Sequence, residues 1–207
     1  MKKKVLLLDI DEVFCFSGFL EAVNEYLNTS YVIDDFTSYY IDEAAIPKER
    51  MPDFNEFIKG RNLYANPFIL PGAIESIKLL SEEYDIYVCS SCVNPFDIEG
   101  SGKIFADKYN MLLKYLPFID PSHFIFTGAK HMFKADVQID DRLSNLDNDI
   151  TTKILFPSYH NKNITPEELE SRGAIRAGYD WREGWSNVLS ILLKKEDVVK
   201  LKLNKEN

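Results

Sequence analysis

Strands that alternate with helices confine a chain to very few architectures, and five short apolar runs set up that alternation here. They are Val5 to Leu8, Ile86 to Cys89, Phe124 to Thr127, Val137 to Asp140 and Lys153 to Phe156. Each is short and enriched in β-branched or aromatic residues, which favours strand over a fragment of helix. Between several of them, apolar residues recur at helical spacing. Gly72 to Tyr84 places Ile74, Ile77, Leu80 and Tyr84 on one face, and Gly102 to Leu116 and Trp181 to Lys195 behave alike. The alternation predicts an α/β fold with a doubly wound, Rossmann-like parallel sheet and crossover helices.

Ser17 to Pro67 does not fit this rhythm. It is dense in aromatics (Phe19, Tyr26, Tyr31, Phe36, Tyr39, Tyr40, Phe54, Phe57, Tyr64) and mostly helical in pattern. Inserted after the first strand, it would stand over that strand's C-terminal end, the edge where open α/β sheets bind ligands. The expected division is therefore a core of residues 1–16 and 68–195, a helical cap at 17–67, and a tail at 196–207 that extends the last helix or frays.

At 207 residues, 45% of them hydrophobic, the chain can bury one real core with a small insertion. Its 33 acidic against 24 basic residues give a net charge of -9, which argues against nucleic-acid polymers and anionic membranes as partners. A small phosphorylated ligand needs only a local positive pocket. Three cysteines, an odd and small set, favour a reducing compartment. The start "MKKKVLLLDID" has no signal-peptide apolar region or cleavage site, and no run approaches the roughly 18–20 apolar residues of a membrane span. A soluble, cytoplasmic protein is expected.

The first run ends in Asp9, Ile10 and Asp11. In an extended strand the two carboxylates would point the same way, and like charges that close need a cation or a proton between them. Other strand ends supply candidates: Ser90 and Ser91 after the second run, Lys130 after the third, Asp140 and Asp141 closing the fourth, and Lys103 opening the helix after the serine loop. Asp9, Asp11 and Asp141 would offer hard oxygen ligands suited to Mg2+. Serine hydroxyls, backbone N–H groups and lysines would grip an anion with several acceptor oxygens. Metal, carboxylate nucleophile and phosphate grip together describe phosphoryl transfer through an aspartyl-phosphate.

Plainer readings stand beside this one. Cys89 to Cys92, "CSSC", has the spacing of a redox pair between a strand and a helix, but that use leaves Asp9, Asp11, Lys130 and Asp141 idle. Zinc is poorly served, with no second C-x-x-C and His123, His131 and His160 scattered; His160 is expected as a loop residue. Asp140 and Asp141 could begin a turn. Lys103 could be a solvated helix lysine. Most cap aromatics are expected to form only a small bundle core.

The order "DIDEV", "VCSS", Lys130, "IDDR" resembles the haloacid-dehalogenase-like (HAD) phosphohydrolases. "LLLDIDEVFCFSGFL", "ILPGAIESIKLL", "IYVCSSCVNPF", "TGAKHMFKADVQIDDR", "SYHNKN" and "YDWREGW" are more closely similar to the 5'(3')-deoxyribonucleotidases of that superfamily. The resemblance implies a Mg2+-dependent phosphomonoesterase acting on deoxyribonucleoside monophosphates. Asp9 would be the nucleophile and Asp11 the acid/base, with its backbone carbonyl on the metal. Ser90, Ser91, Lys103 and Lys130 would hold phosphate, and Asp141 with Asp140 would complete the Mg2+ site. Phe16, Tyr39 and Tyr40 would wall the base and sugar. Relatives of this kind suggest a homodimer. The chain departs from the family at Glu12, where glycine is usual, at Ser90, where threonine is usual, and across much of Asp42 to Leu63. Competing readings are a phosphatase for sugar phosphates or another small phosphomonoester, a non-catalytic binding protein, and the C-x-x-C redox protein.

Overall fold

The computed structural model describes residues 2–146 and 149–193. The expected end of the last helix at Lys194 and Lys195, and the tail at 196–207, lie outside the described residues. In chain order the elements are β1 (Lys4–Leu8), β2 (Cys15–Phe16), α1 (Phe19–Leu27), α2 (Ile41–Ala45), α3 (Met51–Ile58), β3 (Phe68–Ile69), α4 (Ala73–Glu83), β4 (Tyr84–Ser90), α5 (Ser101–Tyr115), β5 (Phe124–Phe126), β6 (Val137–Asp140), β7 (Thr152–Leu155), α6 (Pro166–Arg172), β8 (Ala174–Arg176) and α7 (Gly184–Leu192). Among the described residues no helix is long and apolar enough to cross a membrane.

Six strands form one sheet in the order β5-β4-β1-β6-β7-β8, and every neighbouring pair is parallel. The chain winds outward from β1 through β4 to β5, then crosses back to the other side of β1 for β6, β7 and β8. The winding reverses at β1, so the C-terminal ends of β1, β4 and β6 frame the crevice typical of such sheets. The doubly wound α/β architecture is the expected one.

A strand central in a parallel sheet is covered on both faces, which is why β1 reads as an unbroken apolar run. Leu6 and Leu8 enter the main core with Ile77 and Leu80 of α4, Met111 and Leu112 of α5, and Val188 and Leu189 of α7. Leu7 turns to the opposite face, against Cys89 and Ile150. At about 1.5–3 kcal/mol for each fully buried aliphatic side chain, this packing fixes where β1 ends. β8 joins the sheet edge behind α6. That helix starts on a capping box, in which the Thr165 hydroxyl accepts from Glu168 N–H and the Glu168 carboxylate accepts from Thr165 N–H.

Residues 17–67 hold three short helices around Val23, Phe36, Ile41, Ile46 and Phe54, joined by Tyr159 from the sheet side. Phe19, Tyr26, Phe54 and Phe57 pack edge and tilt against one another, as a small bundle core would. β2 and β3 pair antiparallel, Cys15 with Ile69 and Phe16 with Phe68. The Gly18 N–H donates to Leu63 O at 2.7 Å just beyond them. The segment therefore leaves and re-enters the sheet-bearing part side by side.

Between β1 and β2 the chain turns tightly. The Phe14 and Cys15 N–H groups both donate to the Ile10 carbonyl, and Trp185 Nε1 of α7 donates to Val13 O at 2.9 Å. α7 approaches closely because Gly184 has no side chain: a Cβ there would lie 2.4 Å from Cζ of the fully buried Phe156 ring. Gly184→Ala is expected to cost about 2 kcal/mol through overpacking, lowering the melting temperature by about 4–8 °C in a thermal melt.

Candidate active site

The candidate acids, Ser90, Ser91 and Lys130 are delivered by strand ends or the turns beyond them. Asp9 follows β1, with its N–H donating to Ile139 O of β6. Ser90 is the last residue of β4 and Asp140 the last of β6, with Asp141 next; Lys130 stands in a single 3-10 turn after β5. Parallel pairing in register brings these ends together. Lys130 Nζ lies 2.6 Å from Asp9 Oδ2 and 2.7 Å from Asp140 Oδ2. Asp140 Oδ1 accepts from Arg142 N–H and Asn145 Nδ2. Burial disfavours the Lys130 ammonium, but Asp9 and then Asp140 outweigh it and raise its pKa.

Asp9, Asp140 and Asp141 each present a carboxylate oxygen, all within 4.8 Å of one another. One ammonium among three carboxylates leaves an excess of negative charge in a buried place. Burial pushes the Asp9 carboxyl up to about 6, with Lys130 opposing. Burial and then the Asp9 charge push Asp141 well above the carboxylate range. Such a donor set, hard oxygens with surplus charge, fits a divalent cation. Asp141 Oδ2 also sits 2.6 Å from Nε2 of His160, a ring whose charged form burial and Arg142 push down to about 4. The Asn161 amide donates to Asp141 O and Phe156 O, both at 2.7 Å. The imidazole so placed orients the Asp141 carboxylate, and the amide fixes the main chain that carries it. His160 is in a turn, as expected, but its side chain is buried against the acid cluster.

Asp11 is not in that group. β1 ends at Leu8 and the chain turns, so the strand alternation that would align Asp9 and Asp11 does not reach them. Asp11 Oδ1 accepts from the Tyr64 hydroxyl at 2.8 Å and Oδ2 from Lys108 Nζ at 2.5 Å. Lys108 also donates to Ser90 Oγ at 2.9 Å and Ser91 O at 2.6 Å. Its side chain is only 2% exposed. Lys103, expected to reach this place, does not. Its ammonium pairs with Asp107 one turn along α5, at 2.5 Å, on a half-exposed face. The helix itself explains the exchange. Ile104, Lys108, Met111 and Leu112 share the inward stripe, so the lysine inside that stripe enters the site and the one beside it does not.

A cavity of about 830 Å3 opens over this edge, with Asp11, Glu12, Ser91 and Lys108 at one end. Phe16, Tyr39, Tyr40, Phe68 and Trp181 are among its walls. Phe16 meets Trp181 edge-on at 5.2 Å, and Arg142 lies 4.4 Å over the Tyr39 ring. Asp9, 7% exposed, is not part of the wall. The size and the mainly apolar, aromatic-rich lining suit a drug-sized or nucleotide-sized molecule. Cys89 and Cys92 are reduced and buried, and burial pushes both thiols up to about 11, opposite to the low pKa of a redox cysteine.

Glu12 has φ +58, the left-handed region that glycine adopts freely. Burial and then the charges of Asp141, Asp11 and Asp9 push its carboxyl well up. Backbone and charge are therefore both strained at this position. Glu12→Gly is expected to stabilise the metal-free protein by about 1 kcal/mol net of the added chain entropy, raising its melting temperature by about 2–4 °C.

Comparison with known proteins agrees with this geometry. The family model described as "5' nucleotidase, deoxy (Pyrimidine), cytosolic type C protein" matches residues 3–176. A Staphylococcus aureus protein assigned provisionally as a 5'(3')-deoxyribonucleotidase is 30% identical over 165 residues, 79% of this chain and 87% of its own length. A 5'(3')-deoxyribonucleotidase of Bacillus subtilis is 28% identical over 163 residues, 78% of this chain and 89% of its own length. Among solved structures, a Bacillus subtilis protein assigned provisionally as a HAD-hydrolase and bound to magnesium aligns with a TM-score of 0.48 at 14% identity, covering 94% of this chain and 100% of that one. With the family model spanning the sheet, the acid cluster at its edge and the inserted helices, the chain belongs to the 5' nucleotidase, deoxy (pyrimidine), cytosolic type C family and is a hydrolase of phosphoric monoesters.

Proposed function

We propose that the chain is a Mg2+-dependent nucleotidase that dephosphorylates deoxyribonucleoside 5'-monophosphates, with 3'-monophosphates a second class, through an aspartyl-phosphate on Asp9. The observation that supports this best is the separation of the two aspartates by their partners. Asp9 is desolvated beside Lys130 and the acid cluster, whereas Asp11 faces Lys108, Ser90 and the cavity. That separation supports a nucleophile's role for Asp9 and a proton carrier's for Asp11. The name of the Bacillus subtilis relative and the aromatic cavity walls support the substrate class.

In this reading an Asp9 oxygen attacks phosphorus as Asp11 protonates the departing ester oxygen. Asp11 then takes a proton from the water that cleaves the acyl phosphate, which frees phosphate and restores Asp9. Lys130 orients Asp9 and offsets developing charge, and the Ser90 hydroxyl with the Ser91 backbone and Lys108 holds phosphoryl oxygens. Lys108 takes the part that the sequence suggested for Lys103. Asp9, Asp140 and Asp141, with the Asp11 main chain, would hold Mg2+, which supplies the positive charge that lets a carboxylate approach a phosphate dianion. Phe16, Tyr39 and Tyr40 would wall the base and sugar, and the 17–67 segment would serve as a cap that excludes water.

The test is phosphate release from ribo- and deoxyribonucleoside monophosphates and sugar phosphates. Release from deoxynucleotides is expected to vanish with chelator and in Asp9→Asn. Lys108→Met should lower kcat by about 10²-fold or more, the usual loss of one transition-state donor. Lys103→Met should stay within about 2-fold, because its ammonium is spent on Asp107. Cys89→Ala/Cys92→Ala should keep activity. Release from sugar phosphates alone would sink the nucleotidase reading, and activity in Asp9→Asn would sink the mechanism.

Mg2+ should also stabilise the fold, in a pH-dependent way. Cation binding needs the carboxylates of the cluster, and protons compete for them, at Asp9 below about 6 and at Asp141, whose carboxyl burial pushes well up, also above it. At pH 7.5 the Asp9 proton is gone; at pH 5.5 the cation must displace that one as well. At 100 times Kd, Mg2+ should raise the melting temperature by about 5–10 °C at pH 7.5, and the same concentration should raise it clearly less at pH 5.5.

A further inference from the structure

The two oxygens of Asp11 are held by groups from the two sides of the junction between the inserted segment and the sheet-bearing part. Lys108 Nζ, from α5, donates to Oδ2, and the Tyr64 hydroxyl donates to Oδ1. Tyr64 stands on the limb by which residues 17–67 return to β3, next to Leu63, whose carbonyl accepts from Gly18 at the outgoing limb. Its ring lies 5.1 Å from Lys108 Nζ, so the aromatic face and the ammonium also attract. Tyr64 is moreover part of two cavity walls. One is the large cavity over Asp11; the other, about 330 Å3, is a cleft with Asn55, Ile58 and Arg61 on one side and Asn94, Asp97 and Lys103 on the other. The ring is thus a partition set where the inserted segment meets the sheet-bearing part. A phenol hydroxyl has one proton to donate, and here it goes to the carboxylate.

We propose that Tyr64 is a positioning residue for proton transfer: seated with the 17–67 segment, it fixes the Asp11 carboxyl in the orientation that protonates the leaving oxygen. This rests on Asp11 being the acid/base of the proposed reaction. A carboxyl held on both oxygens keeps one orientation; held by Lys108 alone, it can rotate about its last bond. Misorientation of a general acid slows only a step that needs the proton. An alkoxide leaving group, the 5'-oxygen of a deoxyribonucleotide, needs it. A p-nitrophenolate leaving group does not.

The experiment is rapid-mix measurement of the first turnover in Tyr64→Phe, which keeps the ring and removes only the hydroxyl. Nucleoside release from a deoxyribonucleoside 5'-monophosphate and p-nitrophenolate release from p-nitrophenyl phosphate are followed under the same Mg2+ conditions. We expect nucleoside release to slow about 10–100-fold, nitrophenolate release to change less than about 3-fold, and KM to stay similar for both. A melting temperature close to that of the unaltered protein accompanies this result. An equal slowing of both substrates would show a merely structural role and overturn the proposal, as would no slowing of either. Asp11→Asn separates the two levels. If it slows nucleoside release while Tyr64→Phe does not, only the positioning role falls. If Asp11→Asn leaves nucleoside release unchanged, the acid/base reading falls and takes the positioning role with it.

Discussion

Everything at the working edge of this protein follows from crowding carboxylates where three parallel strands end. Asp9, Asp11, Asp140 and Asp141 stand within three residues of the ends of β1 or β6, and Glu12 adds a fifth charge in the same turn. Water cannot reach most of them, so their repulsion is barely screened. Two lysines answer it, each arriving from a different connection. Lys130 comes from the turn after β5 and bridges Asp9 to Asp140, while Lys108 comes from the inward face of α5 and bridges Asp11 to Ser90. The acids that remain uncompensated are those best placed for a divalent cation.

This partition gives chemically identical side chains different characters. Desolvation beside a single ammonium lifts Asp9, and a neutral imidazole and an amide pin Asp141. Asp11 faces the cavity between a phenol and an ammonium. On a flat strand the two carboxylates would face the same way and share the same partners. The tight turn at Ile10, braced by Trp185 from the last helix, is what separates them.

Much of this was legible in the linear sequence, for a physical reason. A strand buried on both faces must be a continuous apolar run, so β1, β4, β5, β6 and β7 were each found within two residues of their ends. β8 and the β2–β3 ribbon were not, since two or three residues leave no period to detect. α6 did carry a readable signal, the Thr165–Glu168 capping box, which apolar periodicity alone overlooks. In the site, residues on strand ends were legible because the sheet register collects them. Lys108 was missed and Lys103 put in its place, although a lysine among Ile104, Met111 and Leu112 is a buried cation in plain sight. Tyr64 and His160 had no local signal; tertiary packing alone brings them to Asp11 and Asp141.

The pairing of Cys15 with Ile69 and Phe16 with Phe68 has a consequence for how such a protein can diversify. A loop whose two ends already touch has settled its closure cost at the ribbon, and lengthening it costs little more: doubling its length adds only about 0.6 kcal/mol. Chain entropy therefore sets little limit on the length of the stretch between those strands, here residues 17–67; its contacts with the rest of the chain, Tyr64 on Asp11 and Asp34 with Arg182 among them, are what constrain it. Length can therefore vary there at little entropic cost, which makes the ribbon a natural graft point for exchanging that segment between relatives.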